Sequence, residues 1–258
     1  MLYLCSVIRK WSRSFYMKGL ESGIKIIDES LGGLKDGKLY CIGCTVNANR
    51  TNLIAKIAMG LATRDNSVLL FSLEKNRKTM FNQLFRVLSQ YDESEKSRNG
   101  IEKQSNLMDK MGEYPIWIED TPNLSYSSLQ NTIQRICYLN KHAVGVVMVD
   151  NIMQMATDFQ ISAAELCIKA NLYLLKMVAK EYKIPVLAFT EISRNEELNR
   201  PFEVSEYIDR MLIFKSTEDD SPYLSRKGVK IITIGDGISA EPTLFDAPQV
   251  VVKLGNEI

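Results

Sequence analysis

The sequence has little histidine and no regular cysteine pattern. It contains 1 histidine, His142, and 5 cysteines among 258 residues. A single histidine in a polar connection effectively excludes histidine-dependent catalysis, and an odd number of cysteines favours a reducing compartment over a disulfide-stapled fold. Cys41 and Cys44 form one C-x-x-C pair, but no second pair or histidine cluster completes a zinc site. Burial as small apolar side chains is therefore the favoured interpretation of this pair.

The chain also lacks a long apolar run and a strong net charge. Its first eight residues are mostly apolar, but Arg9 and Lys10 interrupt the run. This is far short of the roughly 18 apolar residues that a membrane span needs, and no positive charge precedes the run as in a signal peptide. We therefore expect a cytoplasmic protein without membrane contact. The formal net charge of +1 gives no global electrostatic attraction for nucleic acid, so any DNA site must be local.

Apolar runs separated by helical patterns are what the sequence does contain. Residues 67–73, 144–150 and 184–190 are runs of this kind. A strand that is covered by helices on both faces loses its polar alternation, so these runs indicate buried parallel strands. The pattern predicts an α/β fold with a mostly parallel sheet flanked by helices.

Residues 38–56 have the pattern of a short apolar strand followed by a loop and a helix, and this segment is the most informative of the chain. We interpret it as a degenerate phosphate-binding loop. The intact pattern is G-x-x-x-x-G-K-[ST], in which backbone N–H groups cradle the phosphates, the lysine reaches the terminal phosphates and the hydroxyl holds Mg²⁺. Gly43 is interpreted as the first glycine and Thr51 as the hydroxyl residue, whereas Asn49 and Arg50 stand in place of the second glycine and the lysine. The predicted nucleotide-binding residues are Gly43, Asn47, Asn49, Arg50 and Thr51. A strand, turn and helix of a protein that binds no nucleotide could show the same pattern.

Asp150 is the strongest signal outside this loop, because it ends the apolar run 144–150. A carboxylate at the tip of a strand beside a phosphate loop suits Mg²⁺ coordination, directly or through water. Thr51 and Asp150 are therefore the predicted metal ligands, and ATP with Mg²⁺ are the predicted cofactors if nucleotide binding survives. The alternative is an aspartate in an ordinary strand-ending turn.

Several motifs, in order, resemble those of the RecA-type core of DnaB-like replicative helicases. The run 19–28 and the glycine-containing turn 31–37 are similar to the family's T-G-x-x-x-L-D and G-G-L-x-x-G motifs. Further matches in the family's order lie at 71–74, 120–125 and 146–151. The resemblance implies a RecA-like P-loop NTPase core with a mostly parallel sheet and antiparallel C-terminal strands.

The resemblance also implies a division of the chain and an assembly. Residues 19–258 would form the RecA-like domain, and residues 1–18 a linker-type helix. In the family such a helix docks on the neighbouring subunit and helps to build a hexameric ring, so a homo-oligomer is expected. A helix folded onto its own domain is the alternative. The last strands are predicted at 210–214, 229–234 and 249–254.

The resemblance implies functional roles at the positions of two glutamates, Glu74 and Glu191. Glu74 matches the acidic residue that orients the water attacking the γ-phosphate, so it is a predicted catalytic residue. Glu191 stands where the helicases typically carry a glutamine that senses the γ-phosphate and relays to DNA. A carboxylate there repels a triphosphate unless it is protonated or bridged by a metal.

Further departures from the family concern DNA and the arginine finger. The loops that hold single-stranded DNA in such a ring correspond to residues 156–163, which contain no lysine or arginine, and to about 194–207, where two arginines are offset by four glutamates. DNA binding is therefore expected to be weak or absent. The segment that supplies the finger, 231–252, contains no lysine or arginine. Fingers contribute on the order of 10³–10⁵ in rate, so hydrolysis should be negligible.

The preferred hypothesis is a DnaB-helicase-like RecA-fold protein of DNA replication with lost or strongly weakened ATPase activity. It would act as a structural or regulatory subunit, with itself or with other replication proteins as partners. The rival is an active, divergent ATP-dependent helicase with a finger from elsewhere, such as Arg226 or Lys227. A third class, a nucleotide-free module that binds protein partners, differs from both in whether ATP binds at all.

Overall fold

The computed structural model has an α/β fold organised on one eight-stranded sheet. It describes residues 19–45, 50–63, 66–91, 100–140, 144–156, 164–192, 207–217, 228–234 and 243–246. Several predictions fall outside these residues: the linker-type helix at 1–18, the loop residues Asn47 and Asn49, most of the two DNA loops, the finger candidates Arg226 and Lys227, and the strand at 249–254.

The regular elements alternate along the chain as the apolar runs indicate. The helices are α1 (Lys25–Leu31), α2 (Arg50–Leu61), α3 (Arg77–Tyr91), α4 (Gly100–Glu113), α5 (Tyr126–Asn140) and α6 (Ala164–Tyr182), with a 3-10 turn at Ile152–Gln154. The strands are β1 (Leu39–Thr45), β2 (Ser67–Ser72), β3 (Ile116–Glu119), β4 (Val144–Asp150), β5 (Val186–Ile192), β6 (Arg210–Thr217), β7 (Gly228–Ile234) and β8 (Thr243–Asp246).

The sheet has the strand order β3-β2-β4-β5-β1-β6-β7-β8. The first six strands in this order run parallel, and β7 and β8 continue the sheet antiparallel. The predicted fold class, a mostly parallel sheet with antiparallel C-terminal strands, is confirmed. Because β2, β4, β5 and β1 are neighbours and parallel, their carboxyl ends lie along one edge of the sheet, where open α/β sheets bind ligands.

Helices cover both faces of the sheet, which explains why its central strands are apolar throughout. Helices α1 to α4 pack on one face and α5 and α6 on the other, each over its own hydrophobic cluster. Cys41 and Cys44 are both buried, and they belong to opposite clusters. Side chains three apart on a strand point to opposite faces, so this C-x-x-C pair cannot converge on a metal or form a disulfide. The expected burial of the pair is confirmed.

Close backbone contacts fix α2, the helix that follows the phosphate-loop segment. Gly60 lies in the last turn of α2, directly against the backbone of Ser22 and Gly23. The Ser22 turn is itself held by Asp28, whose carboxylate accepts a 2.6 Å hydrogen bond from the backbone N–H of Ser22. The segment before the sheet therefore sets the position of α2, which begins at Arg50.

A charged cluster closes the opposite, amino edge of the sheet. Asp209 accepts hydrogen bonds from Lys176 on α6, from Lys38 at 2.8 Å and from the backbone N–H of Leu39 at 2.7 Å. Lys176 also donates to the carbonyl of Gly37 at 3.1 Å. The cluster therefore joins α6, the start of β1 and the start of β6.

Candidate functional site at the carboxyl edge of the sheet

Three acidic side chains meet where neighbouring strands end. Asp150 is the last residue of β4, Glu74 follows β2 by two residues, and Glu191 is the penultimate residue of β5. The register places Ser72 beside Asp150, and Asp150 beside Phe189. Parallel pairing thus brings together carboxylates that are far apart in the sequence.

Arg50 lies at the centre of these carboxylates. Arg50 is the first residue of α2, and its guanidinium reaches the sheet edge, where it forms ion pairs with the three carboxylates. Its Nε lies 2.8 Å from Asp150, its Nη1 lies 3.6 Å from Glu191, and its Nη2 donates a short hydrogen bond to Glu74. The Arg50 side chain is only 10% exposed, so the cation is held inside the site and not in solvent.

Burial and charge act against each other at Asp150. The residue is 1% exposed, and this desolvation raises the pKa of its carboxyl to about 6, although Arg50 opposes the shift. Burial alone would lower the pKa of Arg50, but Asp150 and Glu74 outweigh it and raise that pKa. At neutral pH the pair is therefore ionised, and each partner depends on the other for its charge.

Neither carboxylate oxygen of Asp150 receives a hydrogen bond from the described residues, although both oxygens are buried. The Nε of Arg50 is close enough for an ion pair, but it is not oriented to donate. Buried carboxylate oxygens normally have donors, so Asp150 has capacity for a cation. In the present arrangement Arg50 occupies the place beside Asp150 that such a cation would take. The described residues therefore do not fit Mg²⁺ together with a nucleotide unless Arg50 moves.

Thr51 follows Arg50 in the first turn of α2 and is partly buried. It does not donate to Asp150, because no side chain or backbone group in the described ranges does. The structure thus places the two predicted metal ligands on elements that face the same edge without linking them by a hydrogen bond. The role of Thr51 as a metal ligand stays a prediction.

The interpretation of Gly43 as the first glycine of the loop needs correction. Counting back through the pattern from Thr51 reaches Cys44 at that position, and Gly43 lies within β1, paired with Thr190 and Ile213. A β-carbon at position 43 would come within 3.0 Å of the Ile192 side chain. Gly43 is thus explained by close packing inside the sheet and not by a turn around phosphate.

Glu74, Asp150 and Glu191, the carboxylates that pair with Arg50 among the described residues, are all identifiable from the sequence, but their pairing is not. Sequence reasoning also missed Lys75, whose ammonium lies 3.6 Å from Glu74. Within the described part of the chain, no three His, Cys, Asp or Glu side chains are close enough to hold a metal ion. No helix in that part is both long and apolar enough to cross a membrane.

Comparisons with known proteins agree with this architecture. The family model for the DnaB-like helicase C terminal domain matches residues 19–204. The chain is 25% identical over 214 residues to the replicative DNA helicase DnaB of Rickettsia prowazekii, an alignment that covers 76% of this chain and 43% of that protein. The chain thus spans less than half the length of this relative.

Two solved structures share the fold. A solved ATPase domain matches with a TM-score of 0.76 at 16% identity, over 99% of this chain and 98% of that one. A DnaB-like replicative helicase, studied with its interactions with primase, matches with a TM-score of 0.71 at 18% identity, over 94% of this chain and 62% of that one. With a family model that spans well over half of its residues, the chain belongs to the DnaB-like helicase C-terminal domain family.

Proposed function

We propose that this chain is a DnaB-like protein of DNA replication whose ATP hydrolysis is lost or strongly weakened, and that it acts as a structural or regulatory subunit. The observation that carries the proposal is the triple ion pair of Arg50. The residue at the position of the phosphate-binding lysine is ion-paired with Glu74 and Asp150, which are the groups that hydrolysis would need free, and also with Glu191.

Charge balance supports the same conclusion. Among the residues that the structure describes, three carboxylates outnumber the two cations paired with them, Arg50 and Lys75. A polyphosphate entering this edge would have to release Arg50 from its partners and would then meet uncompensated acids. Like charges at about 4 Å repel by several kcal/mol where the effective dielectric constant is about 20, so Mg²⁺-ATP should bind weakly or not at all.

The family suggests the context in which such a subunit works. The relatives are replicative helicases, and one of the solved structures concerns a helicase and its interactions with primase. We therefore include self-assembly into a hexameric ring and contacts with other replication proteins in the proposal. Single-stranded DNA is expected to bind weakly, because the loop at 156–163 carries no cation.

The test is ATP hydrolysis by the purified chain, with and without single-stranded DNA, together with calorimetric titration of Mg²⁺-ATP at millimolar concentration. The matched variant restores the second loop glycine, the lysine and the sensor glutamine of the family through Asn49→Gly, Arg50→Lys and Glu191→Gln, and it keeps Cys44 at the position of the first glycine. We expect no measurable turnover in the natural chain and tighter nucleotide binding in the restored one. Substantial turnover in the natural chain that disappears in Glu74→Gln would overturn the proposal.

One observation favours the second candidate, an active and divergent helicase. Glu74 and Asp150, the predicted catalytic and metal residues, do converge at the sheet edge with a cation beside them. If Arg50 turned from the acids to the phosphates, Glu74 and Asp150 would be free for their predicted roles, and a finger would still have to come from elsewhere. Hydrolysis stimulated by DNA and abolished by Glu74→Gln would establish this candidate.

A further inference from the structure

The cation at this edge is planar, and its three nitrogens face three different carboxylates. Nε faces Asp150 of β4, Nη1 faces Glu191 of β5, and Nη2 faces Glu74 after β2. A guanidinium presents a rigid fork of donors, whereas an ammonium or a metal ion is a point charge. Nη2 donates a hydrogen bond to Glu74, whereas Nε and Nη1 make ion pairs with Asp150 and Glu191, so the three acids lie around the planar group and its extent as well as its charge matches their spacing.

Two further observations separate this site from an ordinary acidic cluster. Asp150 is 1% exposed, and neither of its oxygens receives a hydrogen bond from the part of the chain that the structure describes, so a cation must compensate its charge. Within the same residues, no three acidic, histidine or cysteine side chains are close enough together to share a metal ion. The planar guanidinium of Arg50, in contrast, pairs with all three acids at once.

We propose that the carboxyl ends of β2, β4 and β5 form a guanidinium-binding site, which Arg50 fills from within the chain. This inference rests on the proposed function, in which Arg50 binds acids and not phosphate. It links two departures from the helicase pattern that looked independent in the sequence. The arginine at position 50 and the glutamate at position 191 are partners, because Nη1 of Arg50 forms an ion pair with the carboxylate of Glu191.

The site also has a structural consequence. Arg50 connects the start of α2 to the ends of three strands, so the guanidinium supplies at this edge the positive charge that a metal-bound nucleotide would otherwise bring. The folded state should therefore need neither nucleotide nor divalent cation. In this view the site requires a planar guanidinium at position 50, and lysine is not an equivalent residue there.

The experiment is chemical rescue of Arg50→Ala, followed by thermal unfolding. Removing one partner of a buried ion pair should lower the melting temperature of the 258-residue chain by roughly 10 °C. Guanidinium chloride at up to about 20 mM, far below denaturing concentrations, should then raise it saturably, by about 3–5 °C at tenfold excess over Kd. Equal concentrations of ammonium or magnesium chloride should not.

Arg77→Ala is the matched control. Arg77 is likewise the first residue of a helix and pairs with Glu119 and Asp120, at 3.7 Å and 3.4 Å, but its side chain is 59% exposed. Guanidinium should not stabilise this variant. Rescue of Arg50→Ala should disappear when Asp150→Asn is added. Equal stabilisation of both arginine variants, or better rescue by Mg²⁺, would overturn the proposal.

Arg50→Lys keeps the proposal testable if Arg50→Ala fails to fold. The lysine keeps the charge and removes the fork, so the melting temperature should fall below that of the natural chain. A melting temperature equal to that of the natural chain would show that charge alone suffices and would contradict a guanidinium site. Turnover of ATP by the natural chain would refute the proposed function but would leave these rescue results unchanged, so the two failures can be told apart.

Discussion

Gly60→Ala should destabilise the protein, although the same change inside most helices is stabilising. Alanine exceeds glycine in helix propensity by about 1 kcal/mol, so the local effect favours the variant. In this fold, however, a β-carbon at position 60 would overlap the carbonyl oxygen of Ser22 and lie 2.8 Å from its carbon. The obstacle is backbone, which cannot move aside as a flexible side chain could.

The magnitude follows from these opposing effects. Ordinary van der Waals contact begins near 3.4 Å, so α2 or the Ser22 turn must shift to admit the methyl group. Overpacking of a well-packed interior costs typically about 1–3 kcal/mol, and a rigid backbone obstacle places this case at the upper end. After subtracting the gain in propensity, we expect a net loss of roughly 2 kcal/mol in the free energy of unfolding.

Urea unfolding followed by circular dichroism measures this loss, with Gly112→Ala as the control. Gly112 lies in α4, and no described atom is within 4 Å of a β-carbon built there. That variant should therefore gain up to about 1 kcal/mol. Opposite signs for the two substitutions are the expected result. If Gly60→Ala were as stable as Gly112→Ala, the close packing of α2 on the Ser22 turn would be refuted.

Two further predictions concern the charged cluster at the amino edge and the cysteines. Burial raises the pKa of Asp209, but hydrogen bonds from Lys176, Lys38 and a backbone N–H outweigh it and leave that pKa below its usual value. Asp209→Asn should therefore lower the free energy of unfolding by roughly 2 kcal/mol at pH 7, and the difference from the natural chain should shrink as the pH falls below about 4. Urea unfolding at several pH values measures this difference, and a difference that does not change with pH would contradict the prediction. Burial raises the pKa of the Cys44 thiol to about 12 and raises that of Cys41 too, so neither should react with a thiol reagent until the protein unfolds, and rapid labelling of either in mass spectrometry would count against the fold.

Strands with continuous apolar runs could be predicted from the sequence closely. The run 144–150 is β4 to the residue, and the runs 67–73 and 184–190 lie within one or two residues of β2 and β5. Local capping was also predictable, since Ser125 accepts a hydrogen bond from the N–H of Ser128 at the start of α5. These features depend on near neighbours in the chain, which the sequence displays directly.

Features that depend on distant contacts could not be predicted in the same way. Residues 89–112 have a polar composition typical of an exposed loop with a frayed helix, yet α4 is a 14-residue helix there. Its Leu107 and Met111 are buried in the same cluster as side chains of α3. Side chains such as these anchor a helix when a neighbouring helix covers them, but they give a weak periodic signal in a polar sequence.

The site shows the same limit. The positions of Arg50, Glu74, Asp150 and Glu191 were all identified, each as a separate departure from or match to a helicase motif. That Arg50 pairs with all three acids depends on the strand order and on the register between β2, β4 and β5. Arg50 and Glu191 are 141 positions apart, so no local pattern could relate them.

Strand β1 lies between β5 and β6 in the sheet, and ionic clusters lie near both of its ends. At its start the carboxylate of Asp209 accepts a hydrogen bond from the N–H of Leu39, and five residues after its end Arg50 ties α2 to β4 and to the neighbouring strand β5. Opening β1 would break its two parallel ladders together with the hydrogen bond to Asp209, so we expect β1 to be among the last parts of the molecule to unfold, with a local stability close to that of the whole domain.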